Sequence, residues 1–474
     1  MSERIVKEQI SAFLAANQKA MVEDLAHLVE VPSIARVGAD GLPYGKEVYE
    51  AMLRAEAIAK RMGFTTKIVD DAVLLVESGS KPVQVCLMAH LDVVDAGEGW
   101  DTPPYQLIEQ EDRYVGRGST DNKSGAVAAL YALKLVEELR GDLPYGAQLW
   151  LGSAEEIGSP DLKHYLKNHT MPPYVVTPDS MERLCTGESA KYRPDFFGAW
   201  EESDASPRVL WLQGGKVRNA IPDHAEACVE GLTAREVQEL AQAVGGETEV
   251  TFTLRDTAEG LLICADGRGA HIGLAEQGRN AQTAIIALLS RLPLAQCGAN
   301  DAIRALARLF PHGDMTGAAM GLTVRDEVMG TSRTNFTTCT LNAAGMKGQF
   351  DSRGPTNATP ENYANIIAAA LRAAGFTVEE SEMDAAHYVP ETAPIVKTMK
   401  KLSARVCGEE PECQFSFGGT YAHYIDGAVA FTAANPDVDT LLHKPNEFLP
   451  KGDMERQTEL CALVIEELCS EEGC

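Results

Sequence analysis

Four short polar islands between Val83 and Ser180 carry residue types that bind cations and move protons. His90 and Asp92 follow the apolar run Val83, Val85, Leu87. Asp121 stands in Gly116-Arg117-Gly118-Ser119-Thr120-Asp121-Asn122-Lys123, just before a helical pattern. Glu155 and Glu156 follow Leu149-Trp150-Leu151, and Asp179 follows Tyr174-Val175-Val176. In an open α/β sheet, ligand chemistry gathers at the carboxyl ends of the strands, so the four islands are expected to face one crevice. Such a set of carboxylates stays ionised only if a cation holds it together.

Taken singly, each residue has a bland reading. His90 and Asp92 are two apart and point to one side of a strand end, which suits a surface hydrogen bond as well as a ligand imidazole oriented by a carboxylate. Asp121 reads as a helix N-cap, Glu155-Glu156 as a solvated loop tip, and Asp179 as a turn residue. Jointly they form an oxygen-rich, His-containing set suited to Zn, Mn or Co rather than to a closed thiolate site. A second imidazole is missing from this stretch. His443, in Leu441-Leu442-His443-Lys444-Pro445-Asn446-Glu447, is the best candidate, whereas His27, His164 and His169 sit in contexts that read as solvated.

The elements that must position these residues follow an α/β pattern. At 474 residues the chain is long enough for two to three domains. Helical spacing covers residues 3–30 and about 46–62, with Gly63 as a left-handed stop. Strands are expected at 74–77 and 83–88, across a Ser-Gly-Ser-Lys-Pro turn, then at 147–152 and 174–177. A helix is expected over 122–139, its amino end at Asp121, with Gly141 as its stop. This alternation predicts a doubly wound, mostly parallel sheet. From about Glu188 the texture changes to polar strands (208–213, 225–229, 249–254) with helices at 234–243 and 281–292. Further strands at 335–341 and 346–352 and a helix at 360–374 form a second unit of similar kind. After His387 the α/β pattern returns with a helix at 395–406, a Gly418-Gly419-Thr420 loop, a strand at 428–433 and a helix at 453–468. The expected architecture is a catalytic domain of 1–187 and 388–474, interrupted by an inserted α+β lid of 188–387 in two halves.

Composition narrows the function. A formal charge of −27 argues against nucleic acid as a partner. No run approaches the ~20 apolar residues that cross a bilayer, and the opening Met1-Ser2-Glu3-Arg4 lacks an apolar signal core, so no membrane association and a cytoplasmic location are expected. The 11 Cys, scattered from Cys86 to Cys474 with no CxxC pair, indicate neither a disulfide framework nor a thiolate zinc site, and most are expected to be buried thiols.

The series His90-Leu91-Asp92, Arg117 to Lys123, Glu155-Glu156, Asp179 and the late His443 resembles, in order and spacing, the dinuclear zinc peptidases that include aminoacylase, carnosinase and succinyl-diaminopimelate desuccinylase. The resemblance spans nearly the whole chain. Gly97-Glu98-Gly99-Trp100-Asp101, Asn219 to Asp223, His387 to Pro390 and Asn446-Glu447-Phe448 look most like the dipeptidase V branch and its manganese-using relatives. It implies a phosphorylase/hydrolase-like fold and two divalent ions, Zn first with Mn or Co as alternatives. Asp121 would bridge them, with His90 and Asp179 on one ion and Glu156 and His443 on the other. Asp92 would orient His90, and Glu155 would be the general base. His271 of the lid would stabilise the oxyanion, Asn219 and Arg353 would hold the polar end of the substrate, and Gly418, Gly419 and Thr420 would line its site. Asn122 and Ser124 stand where these relatives commonly carry Asp and Gly, and His423 where Arg is usual.

The ligand series with the lid residues that the resemblance implies gives a metal-dependent dipeptidase as the expected activity, and a fixed Arg353 fork and a closing lid favour a short peptide with a free C-terminus over a protein. A deacylase of N-acyl amino acids is the nearest alternative. A non-catalytic metal-binding homologue is a third, and an unliganded Glu155 argues against it. A doubled lid would replace a dimer contact, so a monomer is expected.

Overall fold

The computed structural model describes residues 4–79, 81–141 and 143–470. Met1 to Glu3 of the opening segment, Ser80 in the expected turn and Cys474 lie outside them. The chain divides into two compact units, Met1–Gly187 with His387–Cys474, and Glu188–Ala386.

The first unit is built on a mixed sheet with strand order Thr65–Val69, Val73–Glu77, Gly146–Gly152, Val83–His90, Tyr174–Thr177, Val429–Phe431, Leu184–Glu188 and His387–Tyr388, with Gln414–Ser416 paired to Leu184–Glu188. Parallel pairing joins the central strands, from Gly146–Gly152 to Val429–Phe431. Thr65–Val69, Val73–Glu77 and Leu184–Glu188 beside them pair antiparallel, so the mostly parallel sheet expected from the alternation is corrected to a mixed one. The cause at one edge is local. Asp70 and Asp71 take left-handed φ of 51° and 52° and close a tight hairpin, and a connection this short cannot carry a parallel crossover.

Both faces of the central strands are covered, as parallel strands require. Along Val83–His90, Val85, Leu87 and Ala89 enter one core, while Cys86 and Met88 enter another. The first core is closed by helices Lys7–Val29, Lys123–Arg140, Pro394–Cys407 and Asp453–Leu468, through residues such as Leu25, Leu130, Met399 and Leu463. The second holds Val48, Trp150, Leu162 and Tyr421. Helix Lys46–Arg61 ends as expected at Gly63, whose φ of 93° an L side chain adopts only at a cost. The ten described cysteines are all free thiols, six of them buried.

The second unit is a nine-stranded sheet in the order Thr251–Asp256, Leu261–Asp266, His224–Glu230, Arg208–Gly214, Arg333–Leu341, Gly345–Gly354, Phe196–Ala199 and Thr377–Val378, with Ala190–Lys191 on Gly345–Gly354. Its pairs are antiparallel. The two α+β halves meet where Leu212 pairs with Leu341, and they share one core running from Val209 to Phe376. They are one sheet rather than two folding units. Helix Gly298–Leu309 and strand Leu261–Asp266 are not among the expected elements. The helix opens on Gly298, Asn300 and Asp301, which are poor helix formers, and burial of Ile303 and Leu306 overrides that propensity.

Candidate active site

Parallel pairing puts the carboxyl ends of three central strands on one edge, and register aligns them. His90 at the end of its strand lies opposite Gly152, so Ser153 to Glu156 emerge beside it. Leu87 lies opposite Val176, which brings Asp179 to the same edge. Helix Lys123–Arg140 begins there too, with Asn122 rather than Asp121 in the capping position. The Asp121 side chain is thus directed to the cluster instead of capping the helix.

The carboxylate of Asp121 lies between two imidazoles. Its Oδ1 is 2.9 Å from His90 Nε2, and its Oδ2 is 2.9 Å from His443 Nε2. Glu156 Oε1 is 3.2 Å from His443 Nε2, and Asp179 Oδ2 is 3.7 Å from His90 Nε2. Ligand atoms of His90, Asp121 and Glu156 lie within 4.8 Å of one another, as do those of His90, Glu155 and Asp179. His90 Nδ1 is 2.9 Å from the Asp92 carbonyl oxygen, which leaves Nε2 as the nitrogen turned to the cluster.

The Asp92 carboxylate does something the spacing did not disclose. It is 3.4 Å from His90 Nδ1, but its oxygens accept the backbone N–H groups of Glu155 and Glu156 at 3.1 and 3.0 Å. Asp161 Oδ2 accepts the two preceding ones, Ser153 and Ala154, at 2.7 and 3.0 Å, and the Tyr421 hydroxyl at 2.6 Å. Two buried carboxylates therefore hold four consecutive amides of the Glu155 turn. Asn122 likewise has a partner set, donating from Nδ2 to the Pro178 carbonyl and to Asp179 Oδ1, both at 2.9 Å. Asp161 did not stand out in the sequence, and Asn122 stood out only as a departure from the relatives' Asp, because a lone Asp in a helix-like segment and an Asn at a helix start carry no signal of their partners.

Charge accounts for what this cluster can hold. Burial acts against the His90 ring's charged form, yet Asp179, Asp121 and Asp92 outweigh it and hold its pKa well above the ordinary histidine value. Burial raises Asp121, but hydrogen bonds from His443 and His90 hold it far below the usual carboxylate range. Burial pushes Glu155 well above the usual range against the charge of His90, and Asp179, Glu156 and Asp92 add to the rise. Glu156 is raised by burial and by Asp121. Buried and half-buried carboxylates thus outnumber the cationic groups facing them, and the donors are carboxylate oxygens and imidazole nitrogens. This chemistry fits divalent transition ions held between Asp121 and its neighbours.

The sequence profile of peptidase family M20/M25/M40 matches residues 86–467. The chain belongs to this family. It is a metallopeptidase, a hydrolase whose family is metal-dependent. A Staphylococcus aureus (strain bovine RF122 / ET3-1) relative named "Putative dipeptidase" is 27% identical over 477 residues, covering 98% of this chain and 100% of its own. Among solved structures, human carnosine dipeptidase 1 superposes with a TM-score of 0.62 at 17% identity, over 99% of this chain and 100% of its own. An M20 family metallo-carboxypeptidase from Sulfolobus solfataricus gives 0.58 at 17% identity, over 95% of this chain and 99% of its own. Both likenesses are of fold.

In the second unit of this M20 chain, Asn219 and His271 are neighbours. Strand Ala270–His271 pairs with Ala220–Ile221, and the Ile272 amide donates to the Asn219 carbonyl at 3.0 Å. His271 Nδ1 accepts the Gly273 N–H at 3.2 Å, which in a neutral ring places the proton on Nε2. Arg353 is 4% exposed, and its fork already binds Asp351, Nε to Oδ1 at 2.7 Å and Nη2 to Oδ2 at 3.0 Å. The two-toothed clamp expected for a ligand carboxylate is spent on Asp351 in this structure. In the first unit, Gly418 donates its amide to Ser416 Oγ at 3.0 Å, and Thr420 Oγ1 caps the turn Tyr421–Tyr424 by accepting the Ala422 amide at 3.2 Å.

Proposed function

We propose that this M20 chain is a dipeptidase that cleaves the peptide bond of short peptides with a free C-terminus. The observation that carries the reading is the Asp121 carboxylate with one oxygen toward His90 and the other toward His443. His90 and Asp179 would hold one divalent ion, Glu156 and His443 a second, and Asp121 both. Zn is the first candidate, with Mn or Co as alternatives. When bound, such a pair supplies the charge that polarises a scissile carbonyl and acidifies water toward ~7.

The chain's own groups do the rest. The Glu155 carboxylate takes the proton of the attacking water and passes it to the leaving amine, and burial raises its pKa, which strengthens it as a proton acceptor. The Nε2–H of His271 donates to the carbonyl oxygen as charge develops on it. Asn219, Arg353 and the Gly418-Gly419-Thr420 loop hold the ends of the peptide, the Arg353 fork having to leave Asp351 to do so. The strongly acidic chain works as a cytoplasmic monomer without nucleic acid, and among its described residues no helix is long and apolar enough to cross a membrane.

The test is turnover of a dipeptide panel beside N-acetylated amino acids, after chelation and reloading with Zn, Mn or Co. Hydrolysis of dipeptides is expected, and the acetylated set reports the deacylase alternative. Protein that binds two equivalents of metal yet turns over neither panel overturns the reading.

A further inference from the structure

His443 lies in a segment without regular secondary structure, and Leu441, His443 and Asn446 there take left-handed φ of 58°, 61° and 64°. The segment is shaped internally by the Lys444 amide on the Leu441 carbonyl at 2.9 Å and the Phe448 amide on the Thr440 carbonyl at 3.1 Å, and its anchors to the rest of the unit decide where the His443 ring sits relative to Asp121. One anchor, at the surface, is Asn446, whose Oδ1 accepts the Asp101 amide and whose Nδ2 donates to Asp101 Oδ2, both at 2.9 Å. The other is Glu447, which is fully buried. Its Oε2 accepts from Arg117 Nη1 at 2.7 Å and from the Gly118 amide at 3.0 Å, and its Oε1 accepts the amides of Thr120 and Asp121 at 2.9 and 3.0 Å. A carboxylate has about four lone-pair sites, and these four donors use them all. Around this centre Arg117 Nη2 donates to the Lys444 carbonyl at 3.3 Å, Gly116 N to the Glu447 carbonyl at 3.0 Å, and Thr120 Oγ1 to the Phe448 carbonyl at 2.6 Å.

From this stitching we propose that Glu447 is a positioning residue that sets the separation of Asp121 from His443, and so controls loading of the ion position that His443 serves while leaving the His90 position intact. The inference rests on the two-ion reading given above. Glu447→Gln replaces one acceptor oxygen with a donor that faces amide N–H groups, which moves the two segments apart.

The probe is Mn2+, titrated into chelated enzyme and followed by the EPR signal of the free ion. Wild type is expected to bind two equivalents. Glu447→Gln should bind the first within about 2-fold of wild type and the second roughly 10- to 100-fold more weakly, the range typical when a partner of a metal ligand is lost. Its kcat should recover as Mn2+ is raised, with the KM for dipeptide unchanged, which a merely structural defect would not produce. Adding Glu447→Gln to His443→Gln should weaken the second equivalent no further. Should Glu447→Gln not fold, Glu447→Asp keeps the charge but shortens the reach, and the same selective weakening is expected. Equal weakening of both equivalents, or loss of thermal stability with both affinities kept, overturns the inference. Wild type that binds fewer than two equivalents, or binds two and hydrolyses no dipeptide, overturns the reading beneath it instead.

Discussion

At the scale of single residues, Glu155 is set apart by its surroundings. It is half-buried beside Asp92, Glu156 and Asp179, and its backbone, not its side chain, is the part that Asp92 holds. Glu155→Gln keeps the shape and removes the proton acceptor, so kcat is expected to fall by roughly 100- to 10,000-fold with metal content unchanged in elemental analysis. His443 makes the pH prediction. Burial acts against its charged ring, but Asp121 and Glu156 outweigh it and raise the pKa to about 11 when no cation is beside it. In chelated protein the stabilisation from these pairs is therefore full below the unfolded histidine value of ~6.5 and is lost as pH rises toward 11. A metal ion needs the neutral ring, so protons compete with it and apparent affinity should rise by up to about tenfold per pH unit for each proton displaced. A titration with Mn2+ between about pH 6 and 9 would check the direction.

At the scale of elements, the Glu155 turn depends on the strand that precedes it. Gly152 ends that strand, and a Cβ there would run into the Tyr421 hydroxyl and the Trp150 ring. Tyr421 in turn donates to Asp161, which holds the Ser153 and Ala154 amides. Gly152→Ala should destabilise by about 1–3 kcal/mol through overpacking. It should also lower kcat more than KM changes, because the Glu155 turn moves with Tyr421. Thermal melts and steady-state kinetics on the same preparation separate the two effects.

At the scale of the molecule, the proposed ligands all lie in the first unit, whereas Asn219, His271 and Arg353 lie in the second. The two units have separate cores. A ligand that binds only folded protein stabilises the part that binds it, by about 2.7 kcal/mol at a hundredfold excess over Kd. Calorimetry is therefore expected to show two transitions, of which chelation lowers one. A single transition, or equal lowering of both, would show that the units unfold together.

Much of this was legible in the chain. Helix Asp453–Leu468 and strand Tyr174–Thr177 have the bounds expected of them, because apolar spacing, caps and glycine stops act over a few residues. The order His90, Asp121, Glu155-Glu156, Asp179, His443 pointed to metal chemistry for the same reason, since residue types and strand ends are local facts. What remained hidden depends on pairing between distant segments. The antiparallel flanks of the main sheet, the single sheet of the second unit, the clamp of Arg353 on Asp351, and the carboxylates of Asp161 and Glu447 that grip backbone amides are all of this kind. A buried carboxylate reads the same in a sequence whether it accepts an amide, an arginine or a metal. Only folding, which must satisfy every buried charge at once, settles which partner it takes.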